Sequence, residues 1–143
     1  MAKIQPGPRK GRGKVPRDAA DTWEGRVRIW VDVGGRNALG PGKMRLLDAI
    51  YASRSLSAAA KQLKMSYRQA WKHLKLIEER TGVAVVEPKR GGAGGGGMEL
   101  TKEGKALLEA YRSFREDVEA HADIVCRKHF ARWSPEKTDG GET

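Results

Sequence analysis

Two helix-start signals stand close together in the middle of the chain, at Ser57 and Ser66, and this spacing restricts the fold more than any other feature. The first is a good N-cap for a short helix containing Ala59, Ala60 and Leu63. Its small side chains let a second helix cross close by. The second signal, Ser66-Tyr67-Arg68-Gln69, fits the S-x-x-Q capping box and predicts a helix to about Arg80, with Gly82 placed to end it. At one residue per 100°, Ala70, Leu74 and Ile77 gather on one side with Tyr67 nearby. Arg68, Lys72 and Lys75 fall opposite, flanked by Gln69. Two short helices joined tightly, the second amphipathic, imply a helix-turn-helix. The polar side of the second helix carries groups suited to DNA: Arg pairs with guanine, Gln with adenine, and Lys meets bases or phosphates. Ser66 and Tyr67 stand at the start of that helix, where free backbone N–H groups favour phosphate.

The flanking segments complete a pattern. Arg26 to Val33 alternates, with Val27, Ile29, Val31 and Val33 on one face and Arg28, Trp30 and Asp32 on the other, which predicts a half-buried strand. Gly34-Gly35 and Gly40-Pro41-Gly42 punctuate the loop after it. A helix from about Pro41 to Arg54 follows, with Met44, Leu47 and Tyr51 in an apolar stripe and Leu46 and Ile50 beside it. Beyond Gly82, Val83 to Glu87 and Met98 to Leu100 read as short strands around a glycine run, residues 91–97. That hairpin is expected to act as a wing, with Lys89, Arg90 and the bare backbone at Gly94 approaching DNA. Thr101 caps a long last helix, roughly Lys102 to Phe130. In it Leu107, Tyr111, Phe114, Val118, His121 and Val125 alternate steps of four and three, the 3.5 period of a helix–helix seam, so the chain is expected to dimerise there. The fold class expected is mainly α with a small β-sheet, a winged helix-turn-helix with a long C-terminal dimerisation helix. The expected divisions are a disordered basic arm over 1–22, the winged domain over 23–101, the dimerisation helix over 102–131 and a disordered tail over 132–143.

Composition narrows the partner. Among 143 residues, 28 Lys and Arg oppose 18 Asp and Glu, a formal charge of +10, which calls for an anionic partner: nucleic acid or an acidic membrane surface. No apolar run approaches the roughly 20 residues of a membrane helix, and no apolar stretch follows the basic N-terminus as a secretory signal requires. The single cysteine, Cys126, suits a reducing cytoplasm and a small core hydrophobe. The glycine run is not a nucleotide-binding loop, because Met98 follows Gly97 where Lys-Ser/Thr would have to enter a helix. His73, His121 and His129 without paired cysteines offer no metal site. Glu78-Glu79, Asp32 and Asp48 form no catalytic constellation, so no enzyme and no cofactor are expected.

The string Ser55-Leu56-Ser57-Ala58-Ala59-Ala60-Lys61-Gln62-Leu63 with Met65-Ser66-Tyr67 resembles the helix-turn-helix of LysR-type regulators. The chain is more similar still to the DNA-binding domain of ModE-type molybdate-responsive regulators, over about residues 25–130. The resemblance rests on Ile29-Trp30-Val31, Leu39-Gly40-Pro41-Gly42-Lys43, Ser66-Tyr67-Arg68-Gln69-Ala70-Trp71, and the glycine run followed by Leu100-Thr101. It implies a bacterial dimeric module with its recognition helix in the major groove, Ser66, Tyr67, Arg68 and Lys72 on DNA, and Trp71 bracing the helix. Two departures stand out. ModE-type proteins continue into molybdate-binding domains that this chain is too short to include, so molybdate enters only by analogy. Lys64 occupies the bend where glycine is common, at a cost of about 1 kcal/mol if its backbone is left-handed.

The expectation is a cytoplasmic, dimeric, sequence-specific transcriptional regulator of double-stranded DNA, linked to molybdenum metabolism. Two alternatives belong to other classes: an architectural protein that coats DNA without preference, and an oxyanion-responsive ligand-binding module. Base changes, salt and ligand-dependent melting separate the three.

Overall fold

A computed structural model describes residues 23–89 and 97–133. The expected basic arm, the tail beyond Trp133, Arg90 and Gly94 lie outside the described residues. Contacts divide the chain into two compact units, Val27–Val118 and a second that joins residues 23–26 to 119–133. This differs from the expected boundary between 101 and 102.

The larger unit opens on a hairpin. β1 (Val31–Val33) pairs antiparallel with β2 (Arg36–Leu39), and Gly34 and Gly35 turn between them with φ of 59° and 76°. Two successive left-handed residues are what a tight two-residue hairpin demands, and glycine supplies them without steric cost. The long alternating strand is therefore cut short. Residues 26–30 form no ladder, and a register shift at Val31/Asp32 breaks the alternation. Only Ile29 of the expected face is buried; Val27 and Val33 are exposed.

β2 delivers the chain to α1 (Pro41–Ser53). Pro41 sits in the first turn, where its missing N–H costs nothing. Gly40 is extended and lies under the Trp30 ring, where a Cβ would stand 2.6 Å from Trp30 Cδ1. Met44, Leu46, Leu47, Ala49 and Ile50 are buried. Tyr51, expected in that stripe, is 56% exposed, because it borders an open cleft with Lys105, Leu108, Glu109 and Arg112 instead of meeting a covering element.

α2 (Leu56–Gln62) and α3 (Tyr67–Thr81) follow. Ser55, not Ser57, caps α2: its hydroxyl accepts from Ala58 N at 3.1 Å, since left-handed Arg54 ends α1 and leaves Ser55 extended. The α3 capping box is as expected, and Gly82 ends the helix at φ 71°. β3 (Val86–Pro88) and β4 (Met98–Leu100) pair antiparallel, Val86 against Leu100 and Pro88 against Met98. α4 (Lys102–Phe130) starts from Thr101, whose hydroxyl accepts from Gly104 N at 2.9 Å and donates to Ala84 O at 2.6 Å. The core of the unit gathers Leu46, Leu47, Ile50, Leu74, Ile77 and Val85, all fully buried. Its winged helix-turn-helix architecture is mainly α with small antiparallel pairs.

In the other unit Trp23 stacks on Phe130 at 5.6 Å, and Gly25 N donates to Asp123 Oδ1 at 2.9 Å. Cys126 packs there as a small side chain, its Cβ 3.2 Å from where a Gly25 Cβ would be. Among the described residues no helix is long and apolar enough to cross a membrane.

Candidate nucleic-acid interface

α3 divides as its sequence predicts. Ala70, Leu74 and Ile77 are sealed in the core, while Arg68, Gln69, Lys72 and Lys75 are exposed. The apolar face fixes which residues point outward, so the cationic face is a consequence of packing. Tyr67 is 52% exposed and meets Trp71 edge-on at 6.3 Å, and Trp71 is half-buried against the core. Tyr67 therefore belongs to the outward group instead of the core side.

The capping box limits two of the expected contacts. Ser66 Oγ accepts from Gln69 N at 3.0 Å, and Gln69 Oε1 accepts from Ser66 N at 3.1 Å. Gln69 keeps its amide donors and one lone pair on Oε1, and the cap fixes the direction in which they can meet a base. Ser66 keeps its hydroxyl proton to donate. Arg68, Lys72 and Lys75 form no ion pair among the described residues and remain available to an anion.

The wing is tied to the helix-turn-helix at its base. Lys89 N donates to Gly97 O at 3.0 Å, and Met98 N donates to the carbonyl of Arg54 at 3.1 Å. Lys89 is exposed, and its side chain covers Gly97, where a Cβ would meet Lys89 Cδ at 2.8 Å. Ser57 is exposed on the second residue of α2. The structure thus brings Ser57, Ser66, Tyr67, Arg68, Lys72, Lys75 and Lys89 to the surface of one unit.

Behind the outward face, Lys43 Nζ donates to Asn37 Oδ1 at 3.0 Å. Its pKa is lowered by burial and by Arg80. His73 is lowered by burial first, then by Lys43 and Lys72. His73 Nδ1 and Arg80 Nε are buried and find no partner among the described residues. Asp48, isolated in the sequence, pairs with Arg112 of α4 across 64 positions.

The expected dimer seam is only partly available. Tyr111 is buried at 3% exposure and its hydroxyl donates to Ile29 O at 2.8 Å, while Leu107 packs half-buried on the same core. Tyr111 is thereby committed to the chain's own core, while Leu107 keeps part of its surface exposed. Phe114 is 48% exposed and edges an apolar groove of about 430 Å³ lined also by Trp30, Val31, Leu39 and Ala110. Val118 is half-buried; His121 and Val125 are exposed.

With this geometry in hand, comparison with known proteins supplies a class. Residues 42–105 match the model for the bacterial regulatory helix-turn-helix protein, lysR family. The segment is a LysR-type helix-turn-helix domain. Among individual relatives, the chain is 37% identical over 82 residues to the transcriptional regulator ModE of Haemophilus influenzae, covering 57% of this chain and 32% of that protein. It is 32% identical over 103 residues to the molybdenum transport protein ModE of Azotobacter vinelandii, covering 72% and 37%. The chain thus spans about a third of the length of these relatives. A solved structure described as a CbnR_DBD–DNA complex is similar at a TM-score of 0.47 and 26% identity, covering 58% of this chain and 90% of that one.

Proposed function

We propose that the protein is a sequence-specific DNA-binding transcriptional regulator that acts as a homodimer on double-stranded DNA in the bacterial cytoplasm, with no catalytic role. The observation that carries this reading is α3: a capped helix whose sealed Ala70, Leu74 and Ile77 force Arg68, Lys72 and Lys75 outward. Arg68 and Lys72 read bases, Lys75 and Lys89 meet phosphates, and Ser66 and Tyr67 fix the helix start at the groove. The link to molybdenum rests on the names of the ModE relatives. Dimerisation uses apolar side chains that α4 leaves exposed, Phe114 among them.

The test is selection of binding sites from random double-stranded DNA on the purified protein at near-physiological salt. An inverted-repeat motif is expected, since a two-fold dimer presents two recognition helices. Arg68→Ala should then weaken binding to that site by about 1–3 kcal/mol and relax preference at one base pair. Equal weakening on every sequence would demote Arg68 to a phosphate contact. No enriched motif, with binding that vanishes as salt rises, would replace the regulator with an architectural DNA-coating protein.

A further inference from the structure

Two residues other than glycine have a left-handed backbone among the described residues, Arg54 at φ 54° and Lys64 at φ 55°. Both are cationic and exposed, and they flank α2, one before it and one after it. The closure after α2 is a Schellman arrangement: Met65 N donates to Ala60 O at 3.0 Å and Lys64 N to Lys61 O at 3.2 Å. Lys64 therefore stands in the one slot of that motif which glycine fills without strain. Arg54 closes α1 in the same conformation, its N donating to Ile50 O at 2.8 Å and its carbonyl holding Met98 of the wing at 3.1 Å. A cationic side chain at a helix C-terminus interacts favourably with the last carbonyls, but exposed to solvent it gains less there than the left-handed backbone costs.

We propose that Arg54 and Lys64 are a pair of DNA-backbone phosphate contacts that bracket α2. The inference rests on the DNA-binding reading above and extends it to residues that helix periodicity does not single out. In this architecture the first helix of the pair crosses the sugar-phosphate backbone while the second enters the groove. The seven residues of α2 rise about 10 Å, so cations at its two ends reach phosphates on either side of the crossing. Neither side chain has an ion-pair or hydrogen-bond partner among the described residues. Glu99 lines the same cleft as Arg54, yet no ion pair joins them. Strain kept at two positions, both cationic, both unpaired and both at the ends of one helix, is accounted for by a shared anionic target.

The full chain, Arg54→Gly, Lys64→Gly and the double variant are titrated with a random-sequence duplex and with the selected site over a series of salt concentrations. Melting is followed in parallel. Each glycine variant should melt at an unchanged or higher temperature. Each should lose affinity by the same factor on both duplexes, and the slope of log K against log salt should fall by about 0.9 for each contact removed. Arg54→Lys and Lys64→Arg should keep the slope. Arg54→Asn and Lys64→Asn, which tolerate the left-handed backbone, should repeat the glycine result without the added chain freedom. Unchanged affinity and slope in the neutral variants, or a loss confined to the selected site, overturns the proposal. A parent protein that binds neither duplex overturns the regulator reading and this one with it. A parent that binds while the variants match it overturns this one alone.

Discussion

The two hairpins of the larger unit sit at opposite ends of α1 and are held by different means. β1–β2 feeds the helix N-terminus through Gly40, whereas β3–β4 touches its other end, where Met98 N bonds to Arg54 O. The thirteen residues of α1 place these ends about 20 Å apart. The first hairpin is decided by its own turn: Gly34 and Gly35 adopt left-handed angles with nothing within 4 Å of where a side chain would go. The second is decided by its neighbours. Thr101 N bonds to Val85 O at 3.0 Å, Thr101 Oγ1 to Ala84 O at 2.6 Å, and Gly104 presses its backbone against Val85. A hairpin fixed by its turn can be altered locally. One fixed at its base shares its fate with the helix-turn-helix beside it, which suits a wing that must keep register with α3.

The same substitution made at both ends separates these cases. Gly104→Ala places a Cβ 2.2 Å from Val85 O and 3.0 Å from Val85 Cα, backbone on both sides of the contact. α4 or β3 must then move, and stability should fall by about 3 kcal/mol, read as a lower urea midpoint at constant m. A loss under about 1 kcal/mol would mean that the start of α4 slides freely, and the base would no longer be called fixed. Gly35→Ala meets no neighbouring atom and carries only conformational strain, about 1–2 kcal/mol. Gly35→Asn should recover most of that, because Asn enters the left-handed region more readily. DNA affinity of the folded Gly35→Ala variant should equal the parent's, while Gly104→Ala should weaken it by displacing the wing. Equal effects of the two alanines on DNA binding would erase the distinction between the hairpins.

What could be read from the sequence follows the same division between local and distant causes. The α3 helix was legible in full because its cap, its sealed face and its stop at Gly82 all lie within residues 66–82. The Thr101 cap and β4 were legible for the same reason, whereas β3 starts at Val86, three residues later than the apolar run from Val83 suggests, and ends at Pro88. β2 was not, because four residues with two buried give too short a pattern, although Gly34-Gly35 between Val33 and Arg36 is a two-residue hairpin signal. The α4 stripe gave the right period, but a period cannot say whether Tyr111 faces a partner or the chain's own Ile29. The Asp48–Arg112 pair and the left-handed backbone of Arg54 had no local signature at all. On the outward face, charge and periodicity found Arg68, Lys72 and Lys75. They could not show that Gln69 commits its oxygen to the cap.

The smallest expected effect tests the end of α1 remote from the wing. His73 is held below its ordinary value of about 6.5 by burial, with Lys43 and Lys72 adding repulsion. Between the lowered folded value and 6.5, the unfolded chain binds more protons at this residue than the folded one. Stability contributed by neutral His73 is therefore complete above about pH 6.5 and declines as the pH falls through that window. His73→Gln removes the titration, so the parent should lose more stability than the variant between pH 7 and pH 5 by a small margin, measured by urea unfolding at each pH. Identical slopes would mean that His73 protonates without cost when folded and that the Lys43–His73–Arg80 grouping is open to water. In that case both ends of α1 would be equally tolerant of charge, and only the backbone bonds at the base of the wing would still distinguish them.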